Sequence, residues 1–403
     1  MDLLFIAHCV PNPPNKGEKI RSYHQVHHLA RRHNVHLACF AREDHEMEAA
    51  HQLSKICASV YVEKLQRLEG LMRGGLELAF GGCLNEGFYR SADMRQYVRK
   101  LVATQKIDIT LAYAAVMHPY APAGIPILLD MQDVDSEKWF DYARTRRPGM
   151  LYRLEAKRLR EFERRCAANA AQTLLTTANE ARLLESFSPN AATAFMENGI
   201  DGAYFDGIAR PVPNQPPDRK FIAFVGTMDY HPNIEAALWF ARDILPAIRR
   251  QQPDLEFLVI GRSPSSALLA LHGKDGVVVT GGVPDIRPYL SSAQAIVTPL
   301  HLARGIQNKV LEALAMGRRV ITSSAVCRTF GSDLPPGVIG CGNESEFTEA
   351  VLHECSQPNT PILSIREAAC KRFSWSRNLE QLEETLVGLA AGGRAPLVRS
   401  VYA

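Results

Sequence analysis

The chain has 403 residues, a formal net charge of +3, 46% hydrophobic and 22% charged residues. That length exceeds one ordinary domain and predicts two of about 200 residues, each able to bury a core. The composition excludes a disordered or low-complexity chain, and so small a net charge gives no reason to expect nucleic acid as a partner. Nine cysteines, an odd number without CxxC spacing, predict free thiols in a reducing compartment rather than a zinc site.

In chain order, the apolar start Leu3 to Val10 has no basic segment before it and runs into Pro11, so it reads as a first strand and not as a signal peptide. No apolar run approaches the length that spans a bilayer, and the expected location is the cytoplasm. Short β-rich runs then alternate with helical stretches: Leu3–Cys9, Val35–Phe40, Val60–Leu65, Ile107–Ala112, Pro126–Asp130, Thr173–Thr177 and Thr193–Met196. Such alternation predicts a parallel sheet covered on both faces. Ala209 to Lys220 carries four prolines and reads as a linker. Alternation restarts with Phe221–Val225, Phe257–Ile260, Val277–Thr280, Ile296–Pro299, Val320–Thr322 and Val338–Ile339. An amphipathic pattern from Asn378 to Leu389 closes the chain. The expected organisation is an α/β protein with a first domain at 1–202, a linker at 203–219, a second domain at 220–373 and a helix with tail at 374–403.

The strand from Ile296, a loop to Gly305, a helix ended by Gly317 and a strand at Val320 form a βαβ unit. Val310, Leu311, Leu314 and Ala315 face inward on its helix. Arg304 and Lys309 sit near that helix's start, where its dipole disfavours a cation by roughly 0.3–1 kcal/mol. Cations there point to an anion between them, and amides near Gly305 and Ile306 complete a phosphate site. Glu312, three residues after Lys309 on the same face, suits sugar hydroxyls. Phosphate with ribose implies a nucleotide. Glycines follow the strands of the second half: Gly226 with Thr227, Gly261 before Arg262, and Gly281-Gly282 before Val283. They leave backbone open to a ligand, and Arg262 adds a second cation for phosphate.

Two doubly wound halves, the NGID segment, VGTMDYHPN and KVLEALAMG resemble glycosyltransferase family 4, with the GT-B fold of two facing Rossmann-like domains and an interdomain cleft. The opening HCVPNPPNKGEKIRSYHQVHHLA and DMQDVDSEKW are similar to the sugar transferases of bacterial exopolysaccharide and exosortase (PEP-CTERM) systems. The resemblance covers nearly the whole chain. It implies a nucleotide-diphosphate sugar donor bound by the second domain, an acceptor in the first, and transfer with retention. It further implies that Glu312 binds the donor ribose, that Gly305, Ile306 and Lys309 bind the diphosphate, and that Val283 meets the base through its backbone. Gly17 would let the first domain approach the phosphates, with Arg21 one turn further on. Two positions depart from the family. Its paired glutamates are eight residues apart, and Arg304 stands where the first would be. A histidine often follows its fifth strand, where this chain has Gln132 and Asp133. Retaining transfer in this family uses the leaving phosphate as base, so the protein's part is to stabilise charge and exclude water.

Asp133-Val134-Asp135 matches a DxD pattern that binds metal in another glycosyltransferase fold, but Asp135 or Ser136 reads better as a helix cap. No metal and no further cofactor are expected, since helix ends and cations neutralise a diphosphate. Asp133 is the candidate for the transferred sugar or acceptor, and the expected catalytic set is Asp133, Lys309 and Arg262. His8, His118, His231 and Asn233 lie near strand ends, the last two within reach of donor phosphate. Between Asp141 and Arg165 nine cations stand against four acids. The stretch 144–165 is either a solvated helix face or a landing surface for anionic lipid or a lipid-pyrophosphate acceptor. Three other functions were weighed. A dehydrogenase lacks its glycine fingerprint after the first strand. A nucleotide-sugar epimerase of the same architecture would need an internal acid/base set, and a two-domain sugar-binding protein is usually exported.

Overall fold

The computed structural model describes residues 1–15, 17–206 and 219–393. The expected linker therefore lies almost wholly outside the described residues, as does the end of the tail. The chain divides into two compact units, residues 1–197 with the segment from Ser376 on, and Asn198–Trp375.

The first unit is built on a seven-stranded sheet of β1 (Asp2–Ala7), β2 (Asn34–Ala41), β3 (Ser59–Lys64), β4 (Ile109–Tyr113), β5 (Ile127–Gln132), β6 (Gln172–Leu175) and β7 (Thr193–Phe195). All pairings are parallel, in the order β3-β2-β1-β4-β5-β6-β7. Leu3, Leu4, Phe5 and Ile6 are wholly buried because helices cover both faces of the sheet. The second unit repeats the plan with β8 (Phe221–Val225), β9 (Glu256–Ile260), β10 (Val277–Gly281), β11 (Ile296–Thr298), β12 (Val320–Ser323) and β13 (Val338–Cys341). Its order is β10-β9-β8-β11-β12-β13, again all parallel. In each sheet the winding reverses between the first and fourth strands, β1/β4 and β8/β11, and the crevice outside the carboxyl ends there is where doubly wound sheets bind ligands.

The Trp375–Ala390 helix belongs to the first unit. Leu379, Leu382, Leu386 and Leu389 are buried along one side. Glu383 on that helix is held by His28 Nε2 at 2.8 Å, Arg32 at 3.1 Å and His33 Nε2 at 3.1 Å. Among the described residues no helix is long and apolar enough to cross a membrane.

Candidate active site

In the second unit the Asn308–Ala315 helix follows β11 and buries Val310, Leu311, Ala313, Leu314 and Ala315. Lys309 and Glu312 are left on its other face, half-buried and one turn apart. The helix begins later than its sequence pattern predicts. Gly305 takes a left-handed φ of 60°, and the Gln307 side chain donates to the carbonyls of Arg304 at 3.0 Å and Gly305 at 3.3 Å, which holds this stretch as a loop. Gly305 and Ile306 are therefore outside the first helical turn, and the Ile306 side chain joins the core at 4% exposure.

Lys309 reaches toward β8. Its Nζ donates to Asn233 Oδ1 at 2.6 Å and lies 4.7 Å from the centre of the Phe224 ring. Asn233, on the His231–Trp239 helix, is buried and donates through Nδ2 to the Thr227 carbonyl at 2.9 Å. Gly226 makes room for this pair: a Cβ there would lie 2.6 Å from Asn233 Nδ2 and 3.1 Å from Lys309 Nζ. Gly261 is equally constrained. Its φ is 156°, and a Cβ would sit 1.6 Å from the Gly226 carbonyl oxygen. Backbone bonds Gly226 N–H to Ile260 and Gly261 N–H to Gly281, both 3.0 Å, tie the ends of β8, β9 and β10 together. The glycines expected at strand ends thus converge on the β8/β11 crevice.

Burial pushes the Lys309 ammonium down to about 7 and the Glu312 carboxyl up to about 7, each shift partly offset by the other's charge. Among the described residues the Glu312 carboxylate has neither hydrogen bond nor ion pair. A desolvated carboxylate without a partner is costly, so this one is suited to hydroxyl donors from a ligand. Arg262 and Val283 are half-buried beyond β9 and β10; the Arg262 carbonyl accepts from Met228 at 2.9 Å, and its Cβ lies 3.3 Å from where a Gly282 Cβ would be.

The residues expected from the first unit fare differently. Arg21 is not placed for phosphate: it is 1% exposed, pairs with Asp130 through Nε at 2.8 Å and Nη2 at 3.1 Å, and donates to the Met196 carbonyl at 2.7 Å. Gly17 opens the Gly17–Leu29 helix. Asp133 follows Gln132, whose φ is 71°, and its carboxylate accepts from Thr176 Oγ1 at 2.6 Å. Burial raises the Asp133 carboxyl above its ordinary range. Neither Asp135 nor Ser136 caps the next helix. Val134 stands at the cap, its N–H donating to Glu180 at 2.7 Å, and Ser136 N–H donates to Glu163 at 3.0 Å. Among the described residues no three His, Cys, Asp or Glu groups come together as a metal would need. His8 is buried, stacked on Tyr113. His118 is half-buried, which lowers its imidazole's basicity. His231 faces Glu235 at 3.1 Å.

Asn233 and Phe224, which hold Lys309, are the residues that the reading for chemistry missed. Asn233 was considered only as a phosphate contact. The usable signal is an asparagine in the first turn of the helix that follows a strand-end glycine.

Residues 219–356 match the family described as Glycosyl transferases group 1. A search of curated proteins returned no match. Among solved structures, sucrose-phosphate synthase from Thermosynechococcus elongatus has a TM-score of 0.69 at 16% identity, covering 98% of this chain and 100% of its own. HepE from Anabaena, solved with UDP, has 0.64 at 12% identity over 96% and 100%, and it was also solved with UDP-glucose. WaaG, a glycosyltransferase involved in lipopolysaccharide biosynthesis, has 0.59 at 14% identity over 98% and 99%. The fold is GT-B, and together with the match over residues 219–356 it supports a glycosyltransferase.

Proposed function

We propose a retaining, metal-independent glycosyltransferase that moves a sugar from a nucleoside-diphosphate sugar to a lipid-linked or saccharide acceptor in bacterial polysaccharide assembly, on the cytoplasmic side of the membrane. The observation that carries this reading is Glu312, a half-buried carboxylate with no hydrogen bond or ion pair among the described residues, one turn from a lysine held over a bare glycine.

In this reading Glu312 accepts hydrogen bonds from the ribose. Lys309, Arg262 and Arg304, with backbone at Gly226, Thr227, Gly305 and Ile306, take the diphosphate, and the Val283 backbone takes the base. Three cations neutralise the diphosphate without a divalent ion. Charge on the leaving group grows as the sugar bond breaks, so Lys309 stabilises the transition state more than the bound donor. In the first unit Gly17 is assigned to the donor phosphates and Asp133 to the transferred sugar or the acceptor. The HepE complexes make uridine diphosphate the first nucleotide to try. An epimerase is disfavoured, because the acid and base beside the crevice are both committed to the nucleotide.

The test is a thermal-shift screen over nucleotides and nucleotide sugars, followed by product analysis. Stabilisation by a nucleoside diphosphate, lost in Glu312→Ala for donor and free diphosphate alike, is expected. Lys309→Ala should lower kcat more than donor affinity. Epimerised donor formed without acceptor would overturn the reading.

A further inference from the structure

The Arg67–Ala79 helix is amphipathic in the wrong sense for a water-facing surface. Its buried residues are Gly70 and Gly74, pressed onto the Leu84–Phe88 helix so closely that a Cβ on Gly70 would meet Phe88 Cδ2 at 2.9 Å and one on Gly74 the Leu84 carbonyl at 2.7 Å. Its large apolar side chains point out: Leu68 is 78% exposed, Leu71 46%, Met72 70% and Leu76 59%, with Phe80 just beyond at 87%. Positions 68, 71, 72 and 76 share one helical face, and only Gly75 and Ala79 join them there. The charges flank that face: Arg73 is paired with Glu69 at 3.6 Å and Glu77 with Arg90 at 2.7 Å, and Arg67 is exposed at the helix start.

A basic surface adjoins it. Arg158 donates to the Gly81 carbonyl at 2.8 Å, which brings the middle of the Gly149–Asn169 helix against the end of the apolar one. That helix exposes Arg153, Lys157, Arg158, Arg164 and Arg165, and its first turns also expose Met150 at 83% and Leu151 at 57%. Arg164 is paired with Glu161 at 2.6 Å and Arg165 lies 3.7 Å from Glu86, which leaves Arg153, Lys157 and Arg158 as the cations of this surface. Apolar side chains beside them match the acyl boundary and headgroups of an anionic bilayer. A second copy of the chain would instead bring these cations against each other.

We infer that the outward apolar face of the Arg67–Ala79 helix, with the basic helix beside it, docks the first unit on an anionic lipid surface. Of the two readings of 144–165, solvated face or lipid landing surface, this favours the second, as the electrostatic half of a larger patch whose insertion comes from Leu68, Met72, Leu76 and Phe80. This inference goes beyond the donor site and stands without it.

Co-sedimentation of the full chain with vesicles of phosphatidylcholine, with and without phosphatidylglycerol, tests it. Binding should rise with phosphatidylglycerol and fall with salt. Replacing Leu68, Met72 and Leu76 by serine should cut partitioning by about tenfold or more, whereas Arg153→Glu with Lys157→Glu should remove only the phosphatidylglycerol dependence. A single Leu76→Trp variant, which keeps the face apolar, should shift its emission to the blue on vesicles. No sedimentation of the native chain, unchanged sedimentation of the serine variant, or an unshifted Leu76→Trp emission would overturn the inference. So would a lipid-free dimer that the serine variant disperses. Thermal shifts with nucleotide should be the same in all these variants, which separates failure here from failure of the donor reading.

Discussion

The same winding produces two crevices with opposite contents. At β1/β4 the first unit fills the space with its own side chains. His8 lies on the Tyr113 ring, Tyr113 Oη donates to the Glu18 carbonyl at 2.5 Å, and Arg21 is saturated by Asp130 and the Met196 carbonyl. At β8/β11 the second unit supplies Gly226 and Gly261 where side chains would intrude, a desolvated lysine and a carboxylate with no hydrogen bond or ion pair among the described residues. A strand-end crevice is thus an opportunity that the residues either close or keep open. A charged group in the closed crevice should support the fold, and one in the open crevice should weaken it.

The sharpest break of this contrast is Asp130→Ala. It takes from buried Arg21 the carboxylate that neutralises it, and from Gln25 Nε2 the Asp130 Oδ2 acceptor 2.6 Å away. Removing one member of a buried pair costs about 3–5 kcal/mol, to be read from chemical denaturation. A loss near zero would mean that Arg21 reaches water and that the first crevice is open too. Gly226→Ala comes next. The new methyl displaces Asn233 and Lys309 at a cost of about 1–3 kcal/mol from overpacking, and the thermal shift given by nucleotide should vanish. Full retention of that shift would remove Lys309 from the site.

How far the sequence reveals these crevices depends on range. All thirteen strands were legible, because parallel strands covered on both faces read as unbroken apolar runs. Lys309 and Glu312 were legible as a pair, being three residues apart on one helix. The lysine's holder, Asn233, is separated from it by 76 residues, and no local pattern marks it. Arg21 was misread for the same reason. A cation one turn after a glycine that opens a helix looks like a phosphate ligand until Asp130, 109 residues away, is seen to take it. Periodicity also identifies an apolar helix face without saying which side is wet. On the Arg67–Ala79 helix only the close contacts of Gly70 and Gly74 show that Leu68, Leu71 and Leu76 face outward.

Glu312→Gln tests the opposite sign in the open crevice. A carboxyl raised to about 7 by burial resists ionisation in the fold, so its charge costs stability as pH rises above the ordinary carboxylate value, and the whole cost is present above 7. The neutral variant should therefore be more stable than the native chain at pH 8, by about 1 kcal/mol once partial exposure is allowed for, while binding nucleotide more weakly. In the same variant Lys309 is the remaining charge facing the ligand from its helix. Its ammonium, lowered to about 7 in the native chain and lower still once the Glu312 charge that raises it is gone, is lost as pH rises, so affinity for uridine diphosphate should fall with rising pH across the neutral range. Calorimetry in buffers of different ionisation enthalpy should register proton uptake on binding. A flat affinity profile would show that another group carries the diphosphate.

The smallest effect is expected at Glu383, whose partners His28, Arg32 and His33 lie on or just after the helix that carries Arg21. Despite burial, these hydrogen bonds and positive charges hold its carboxyl below the ordinary range. A depressed carboxyl stabilises the fold above its ordinary value and loses that contribution as pH falls through the acid range. Glu383→Gln should cost about 0.5–1 kcal/mol at pH 7 and flatten the acid limb of the stability profile, as followed by melting between pH 3 and 7. Nucleotide binding should not change, since every contact of Glu383 is within the first unit. If the variant instead weakened nucleotide binding while leaving the acid limb intact, the division of labour between the closed and open crevices would fail at its weakest joint.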